Sequence, residues 1–295
     1  MQIFEDFTEL KDLCLGLGFF DGVHKAHQTI INTVVEKARE NGLKSAIITF
    51  QRAPLSYLNK NIKCKYLENN FKKAREIEEL GVDYLFILDF EKIKNLTAME
   101  YLVLLNKYFS PKYIVTGFNN DFGVEAKGNP AFLKENEEEF GYKYIEIAPQ
   151  MFDSHLISSS EIRNFIKVGE IEMANKYLGR SFTIFGTVQV GEMVGRTINF
   201  PTINVPWEKD IVKLAAGVYK GFVRFDGIQK DVILNWGSRP TVDDNKKIIE
   251  AFIFDFEGDL YGKEVEIGFT KFIRKQMKFS SIQELKEQIE KDILH

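Results

Sequence analysis

Residues 13–150 predict an α/β domain, a parallel sheet with helices on both faces. Residues beyond about 180 predict an antiparallel barrel or sandwich that ends in a helix. Three observations carry this. Apolar strand-like runs alternate with helix-periodic stretches up to about residue 150. After a helical bridge over 158–178 the texture changes to short β-rich runs separated by Gly, Pro and Asp. A length of 295 residues suits two domains, placed here at 1–180 and 181–295.

Taken in order, Leu13–Leu17 is a buried strand. The stretch 29–39 carries Ile30, Ile31, Val34, Val35 and Ala38 at helical spacing and stops at Asn41-Gly42. Ser45–Phe50 is a second strand. The stretch 69–80 is a helix with Phe71, Ala74, Ile77 and Leu80 on one face, ended by Gly81. Val82–Leu88 is a strand. Thr97 and Glu100 make a capping pair for a helix over 97–108. A strand over 113–116, a helix over 130–140 and a strand over 142–148 complete the first pattern. In the second half the β runs are 183–190, 217–225, 230–235, 249–256 and 265–269, and the last helix is 281–293. Ligands of open parallel sheets bind beyond the carboxyl ends of the strands. His24, Thr49, Gly117 and Asn119 all fall there.

Composition narrows the function. A net charge of −4 argues against a general binder of nucleic acid or of anionic membranes. Two cysteines, Cys14 and Cys64, provide no disulfide framework. No signal-like segment or membrane-length apolar run is present. The expectation is a cytoplasmic protein, a monomer or weak homo-oligomer, with no nucleic acid and no membrane.

Gly18-Phe19-Phe20-Asp21-Gly22-Val23-His24-Lys25-Ala26-His27 joins the first strand to the first helix. Unpaired N–H groups at a helix start attract anions, and glycines let a phosphate approach the backbone. Two imidazoles three apart share a helix face. They suit a phosphate whose charge grows during reaction. The same spacing also fits two partly buried helix residues or a pair of metal ligands, and spacing alone leaves the three readings open. Four histidines in the whole chain make zinc the weakest of them.

The ordered motifs resemble the prokaryotic bifunctional riboflavin kinase/FAD synthetase family over nearly the whole chain. The family's Gly-x-Phe-Asp-Gly-x-His-x-Gly-His signature is matched by Gly18 to His27. Thr49-Phe50, Gly81-Val82-Asp83, the Gly117, Asn119, Phe122, Gly123 set and Ser158-Ser159-Ser160-Glu161-Ile162-Arg163 follow in the family's order, as does Leu178-Gly179-Arg180. The second half matches with Gly195-Arg196, Phe200-Pro201-Thr202-Ile203-Asn204, Gly217-Val218-Tyr219 and Gly237-Ser238-Arg239-Pro240-Thr241. Glu250, Asp255-Phe256, Leu260-Tyr261-Gly262 and Phe272-Ile273-Arg274 continue it.

The resemblance implies a nucleotidyltransferase-like, Rossmann-like first domain and a riboflavin kinase β-barrel. It implies riboflavin, FMN and ATP as substrates and Mg²⁺ as cofactor. In the second half, Thr202 and Asn204 would contact Mg²⁺ and the ATP phosphates, with Gly195 and Arg196 nearby. Glu250 would be the general base, and Arg274 would touch flavin or phosphate. In the first half, His24 and His27 would stabilise the triphosphate, with Gly18, Asp21, Gly22 and Asn119 at the nucleotide. Ser159, Ser160 and Arg163 would hold the leaving phosphates. Plainer readings stand beside these: Glu250 as the polar position of an alternating strand, the serines as helix caps, Arg274 as a surface arginine. The departures cluster in the first half. Phe19 replaces Asn, Ala26 replaces Gly, and Gln51-Arg52-Ala53-Pro54 lacks the family's histidine. They motivate the alternative of a kinase with a vestigial first domain; a flavin carrier without catalysis is a third reading.

Overall fold

The computed structural model describes residues 1–58, 64–190, 202–237 and 248–294. They fall into two compact units, Met1–Ser159 and Ser160–His295.

In the first unit β1 (Gln2–Phe4), β2 (Leu13–Leu17), β3 (Lys44–Phe50), β4 (Tyr84–Leu88), β5 (Tyr113–Gly117) and β6 (Lys143–Ile147) share one sheet. Its order is β1-β4-β3-β2-β5-β6, and every pairing is parallel. β2 is buried on both sides. Leu13, Leu15 and Leu17 meet Tyr101, Leu102, Leu105 and Phe109 of α4 (Ala98–Phe109). Cys14 meets the opposite core, with Ile30, Ile31 and Val34 of α1 (Lys25–Glu40) and Ala74 and Ile77 of α3 (Asn70–Glu79). Strands apolar on both faces require a layer covered twice. The fit of α1 is close: a Cβ at Gly16 would lie 2.6 Å from Ile47 Cδ1 and 2.9 Å from Val34 Cγ2. From β2 the chain goes to β3 and β4 on one side, then returns to β5 on the other. The sheet therefore has its switch point between β2 and β5, where a crevice opens beyond the strand ends.

Several expectations shift. α1 begins at Lys25, ahead of residue 29, because His24 caps it. The helix expected over 130–140 is α5 (Pro130–Glu135) and α6 (Glu137–Phe140). The break falls at Asn136, whose amide donates to the Phe132 carbonyl and so competes with the backbone. Phe71 does not join the inner face of α3. It is 64% exposed, and the helix buries Lys72 and Lys73 with Ala74 and Ile77. Two short elements had no local period to announce them, α2 (Pro54–Leu58) and the hairpin of β7 (Met151–Phe152) and β8 (His155–Leu156). The helical bridge is two helices, α7 (Ser159–Val168) and α8 (Ile171–Leu178), parted at Gly169.

The second unit contains β9 (Phe182–Thr187), β10 (Thr202–Pro206), β11 (Gly217–Phe225), β12 (Ile228–Gly237), β13 (Ile248–Ile253) and β14 (Glu264–Arg274). The order is β10-β13-β12-β11-β14-β9, antiparallel throughout. The sheet curls until its edges meet: the Gln189 N–H, just past β9, donates to the Asn204 carbonyl of β10 at 2.8 Å. This settles barrel over sandwich. The core is aromatic. Trp207 and Trp236 lie 4.3 Å apart, with Phe182, Tyr219 and Phe269 around them. β11 and β12 are joined by Asp226-Gly227 alone, both at positive φ, the two-residue turn whose twist suits a hairpin. α9 (Ile282–Leu294) follows.

Candidate active sites

The first site is the turn after β2. Phe20, Gly22 and Val23 all adopt positive φ, at 53°, 82° and 32°. For the two non-glycine residues this costs on the order of 1–3 kcal/mol each and persists only where surroundings over-determine it. They do so here. The Phe20 ring and Val23 are 1% exposed. The Asp21 carboxylate accepts the Leu67 N–H at 2.9 Å. The Gln28 amide donates to the Val23 carbonyl at 2.8 Å, and the Ser159 hydroxyl donates to the Asp21 carbonyl at 3.0 Å. At Gly22 a Cβ would lie 2.5 Å from Leu67, so positive φ and space both require glycine.

The turn delivers His24 to the start of α1. Its Nδ1 accepts the His27 N–H at 3.4 Å, which places the proton of the neutral ring on Nε2. The two imidazoles stack with centroids 3.5 Å apart and planes at 19°. Phe20 meets the His27 ring edge-on. The first turn of α1 has no acidic residue, so the positive end of a 16-residue helix and two imidazoles converge on one spot. That arrangement draws anions. Across the switch point, Gly117 closes β5 beside Ile30 of α1, and Asn119 follows it, exposed.

Of the sequence-predicted residues, Gly18, Asp21, Gly22, His24, His27 and Ser159 come together in this turn. Thr49 lies inside β3, fully buried, and donates to the Phe19 carbonyl at 2.7 Å. Ser160 and Arg163 are in the second unit; the Arg163 guanidinium donates to the Ser160 hydroxyl at 3.2 Å. Cys14 takes no part: burial pushes its thiol up to about 12, so it stays protonated. Lys73 was not anticipated. Its ammonium, almost wholly buried, reaches the Phe19 carbonyl at 3.2 Å, Thr49 Oγ1 at 3.3 Å and the Phe50 carbonyl at 3.3 Å.

The second site is a row across the barrel. Register sets Asn204 opposite Glu250, Glu250 opposite Asn235, Asn235 opposite Val218 and Val218 opposite Arg274. Directly opposed residues share a face. On β13, Ile249, Ala251 and Ile253 are buried and Glu250 takes the other face, so strand alternation holds and Glu250 still has polar neighbours. The Asn235 amide donates to Glu250 Oε2 at 3.3 Å, and the Gln276 amide donates to Asn235 Oδ1 at 3.1 Å. Asn235 escaped the sequence reading, although a lone amide between Leu234 and Trp236 was its signal. Thr202 and Asn204, two apart on β10, face the same way. Arg274 is held at the far end by Asp292 of α9. Gly195 and Arg196 lie outside the described residues.

The donors fit a magnesium ion carried in by a nucleotide. Hydroxyl and amide oxygens at Thr202 and Asn204 are hard, neutral ligands with a carboxylate one strand away. Mg²⁺ usually keeps waters and substrate phosphates and takes only one or two protein ligands. Among the described residues no cluster of three or more His, Cys, Asp or Glu could form an all-protein cage.

The FAD synthetase family model matches residues 6–161 and the riboflavin kinase model residues 178–295. A bifunctional riboflavin kinase/FMN adenylyltransferase of Buchnera aphidicola is 34% identical, over 99% of this chain and 97% of its own. One from Listeria monocytogenes is 33% identical, over 98% and 92%. A crystal structure described as a macrolide-efflux protein from Streptococcus pneumoniae superposes with TM-score 0.92 at 29% identity, covering 100% of this chain and 98% of that one. Among the described residues no helix is long and apolar enough to cross a membrane.

Proposed function

The chain belongs to the bifunctional riboflavin kinase/FMN adenylyltransferase family, and on that premise we propose that the Glu250 row performs its first reaction and the His24 turn its second. The enzyme phosphorylates riboflavin to FMN and adenylylates FMN to FAD with release of pyrophosphate. Matches to both halves favour two activities over a kinase with a vestigial first domain. Residues 1–180 would hold adenylyl transfer and 181–295 the kinase.

In the kinase step, Glu250 accepts the proton of the ribityl 5′-hydroxyl as that oxygen attacks the γ-phosphorus and the β–γ bridging bond breaks. ADP leaves. Such a base contributes on the order of 10²–10⁴-fold in rate. The observation that carries the assignment is the row itself: Asn235, braced by Gln276, holds one Glu250 oxygen and Asn204 stands directly opposite. Thr202 and Asn204 would hold Mg²⁺, which neutralises phosphate charge when bound. Arg274 lies at the flavin edge, its guanidinium oriented by Asp292.

In the adenylyl step a phosphate oxygen of FMN, already anionic, attacks the α-phosphorus and pyrophosphate departs. No base is needed. What must be stabilised is charge growing on the leaving group, and donors at a helix start supply that. His24, His27 and the first N–H groups of α1 take this role. Gly18, Asp21 and Gly22 shape the turn, and Asn119 contacts the nucleotide across the crevice. Ser159, whose hydroxyl meets the Asp21 carbonyl of the turn, would help to hold the departing phosphates, and the family motif alone gives Ser160 and Arg163 the same role. Support for a cytoplasmic setting comes from two unbridged cysteines; a monomer or weak homo-oligomer suffices for both steps.

The test is a time course with FMN, ATP and Mg²⁺ and no riboflavin. FAD is expected. Riboflavin converted to FMN with no FAD from either flavin would remove the assignment of the His24 turn.

A further inference from the structure

We propose that Lys73 is a positioning residue for adenylyl transfer, its ammonium fixing the Phe19–Phe20 peptide so that the turn after β2 presents its N–H groups and His24 to the nucleotide. This rests on the reading of the His24 turn as the adenylyl site.

Four contacts point to it. Lys73 donates to the Phe19 carbonyl, which also accepts from the Thr49 hydroxyl. It donates to Thr49 Oγ1 itself and to the Phe50 carbonyl. Its ammonium lies 4.4 Å from the centroid of the Phe19 ring. One cation thus ties the end of β3 to the first residues of the catalytic turn. A trans peptide sets its C=O and N–H in opposite directions. With the Phe19 carbonyl drawn to Lys73, the Phe20 N–H points away from it. The next residues hold positive φ at Phe20, Gly22 and Val23, so the turn has a strained conformation that needs an anchor at its start.

A lysine is a costly choice for a structural peg. The helix leaves Phe71 64% exposed while burying this amine. Among the described residues, the charged groups that face it are Asp21 of the turn and Glu68 ahead of α3; β3 presents uncharged oxygens from Thr49 and Phe50. Burial outweighs those two carboxylates and draws the Lys73 pKa down to about 8. The Phe19 ring lies against the ammonium, and the Tyr66 ring lies 5.9 Å from that of Phe19. Phe19 is one of the chain's departures from its family, so here the anchor is capped by an aromatic ring.

The pH dependence separates positioning from mere stability. The folded pKa lies below the ordinary 10.5, so between about 8 and 10.5 the unfolded chain binds more protons and stability rises with pH. Positioning has the opposite sign, because the anchoring charge is lost above about 8. A structural peg would let activity follow stability; an anchor makes them diverge.

The experiment uses the full chain and measures FAD formation from FMN, FMN formation from riboflavin, and the unfolding temperature, from pH 7 to 9.5. For the wild type, FAD formation is expected to fall through about pH 8 while the unfolding temperature does not. Lys73→Met should lower kcat for FAD formation at least tenfold at pH 7.5. Its KM for ATP should stay within threefold and its FMN formation within twofold, and the alkaline fall should vanish. A wild-type FAD rate that is flat through pH 8, or a Lys73→Met kcat within twofold of wild type, overturns the proposal. If Lys73→Met does not fold, the wild-type profile decides alone. His24→Ala is the companion: if it leaves FAD formation intact, the site assignment fails rather than the role of Lys73.

Discussion

Arg274 and Asp292 meet through two parallel hydrogen bonds, Nε to Oδ1 at 2.9 Å and Nη2 to Oδ2 at 2.7 Å. Asp292 is 1% exposed, so this forked pair pins α9 to the end of β14 in low dielectric. Removing one partner of such a pair strands the other charge and costs on the order of 3 kcal/mol. Asp292→Ala should therefore lower the unfolding free energy of the kinase unit, read from urea melts, by about that amount. The apolar double variant Arg274→Met with Asp292→Leu should recover much of the loss. Equal loss in the single and double variants would show that the pair is not what holds the helix.

Glu250→Gln keeps the side-chain volume and removes the base. FMN formation should fall by about 10²–10⁴-fold, while FAD formation from supplied FMN stays within twofold. Coupled product analysis by chromatography reads both. Loss of both activities would contradict the division between the two units.

His24 has two roles that one substitution separates. Asparagine caps helices as well as any residue, so His24→Asn should keep the unfolding temperature and still lose about 10²-fold or more in FAD formation. His24→Ala should lose activity and also about 1 kcal/mol of stability. Retained activity in His24→Asn would reduce the imidazole to a cap.

Asp83 joins the starts of β3 and β4. Its carboxylate accepts from Lys44 Nζ at 2.6 Å and from the Ser45 N–H and hydroxyl at 2.9 and 2.8 Å. Burial alone would raise its pKa, but those donors hold it below the ordinary 3.8. A depressed folded pKa gives stability that is full above 3.8 and lost as pH falls through the folded value. Asp83→Asn should cost about 1–2 kcal/mol at pH 7, and the gap to wild type should close below pH 3.8. A gap that stays constant down to pH 2 would place the effect elsewhere.

Much of this architecture is legible before any coordinates. The Leu13–Leu17 run and the glycines and histidines after it carry their own turn, and Thr97 with Glu100 writes its capping box into the sequence. What local pattern cannot show is reach. Helical period puts Phe71 inside because it is apolar, yet three oxygens on β3 and the β2 turn, brought from elsewhere in the chain, make Lys73 the inward residue. Thr49 has the same history: its place in β3 is local, its bond to Phe19 is not. In the barrel, Glu250 was visible as a carboxylate among apolar residues, but its neighbours Asn235 and Asn204 depend on strand pairing. β10 is absent from the β runs legible in the sequence, since its partner β13 lies more than forty residues on.

The Asp226-Gly227 turn carries information as well as chain reversal. It fixes Phe225 opposite Ile228 and, as the eighth pair counted from that end, Val218 opposite Asn235. A slip of one residue would send every side chain of β12 to the other face. Asn235 would enter the core and Glu250 would lose its clamp, with no catalytic atom altered. Single-residue insertions between Phe225 and Ile228 would thus read out as lost phosphorylation from some 24 Å away, at about 3.4 Å per residue along the strand. The register of the proposed Glu250 site is set by a dipeptide at the far end of its hairpin.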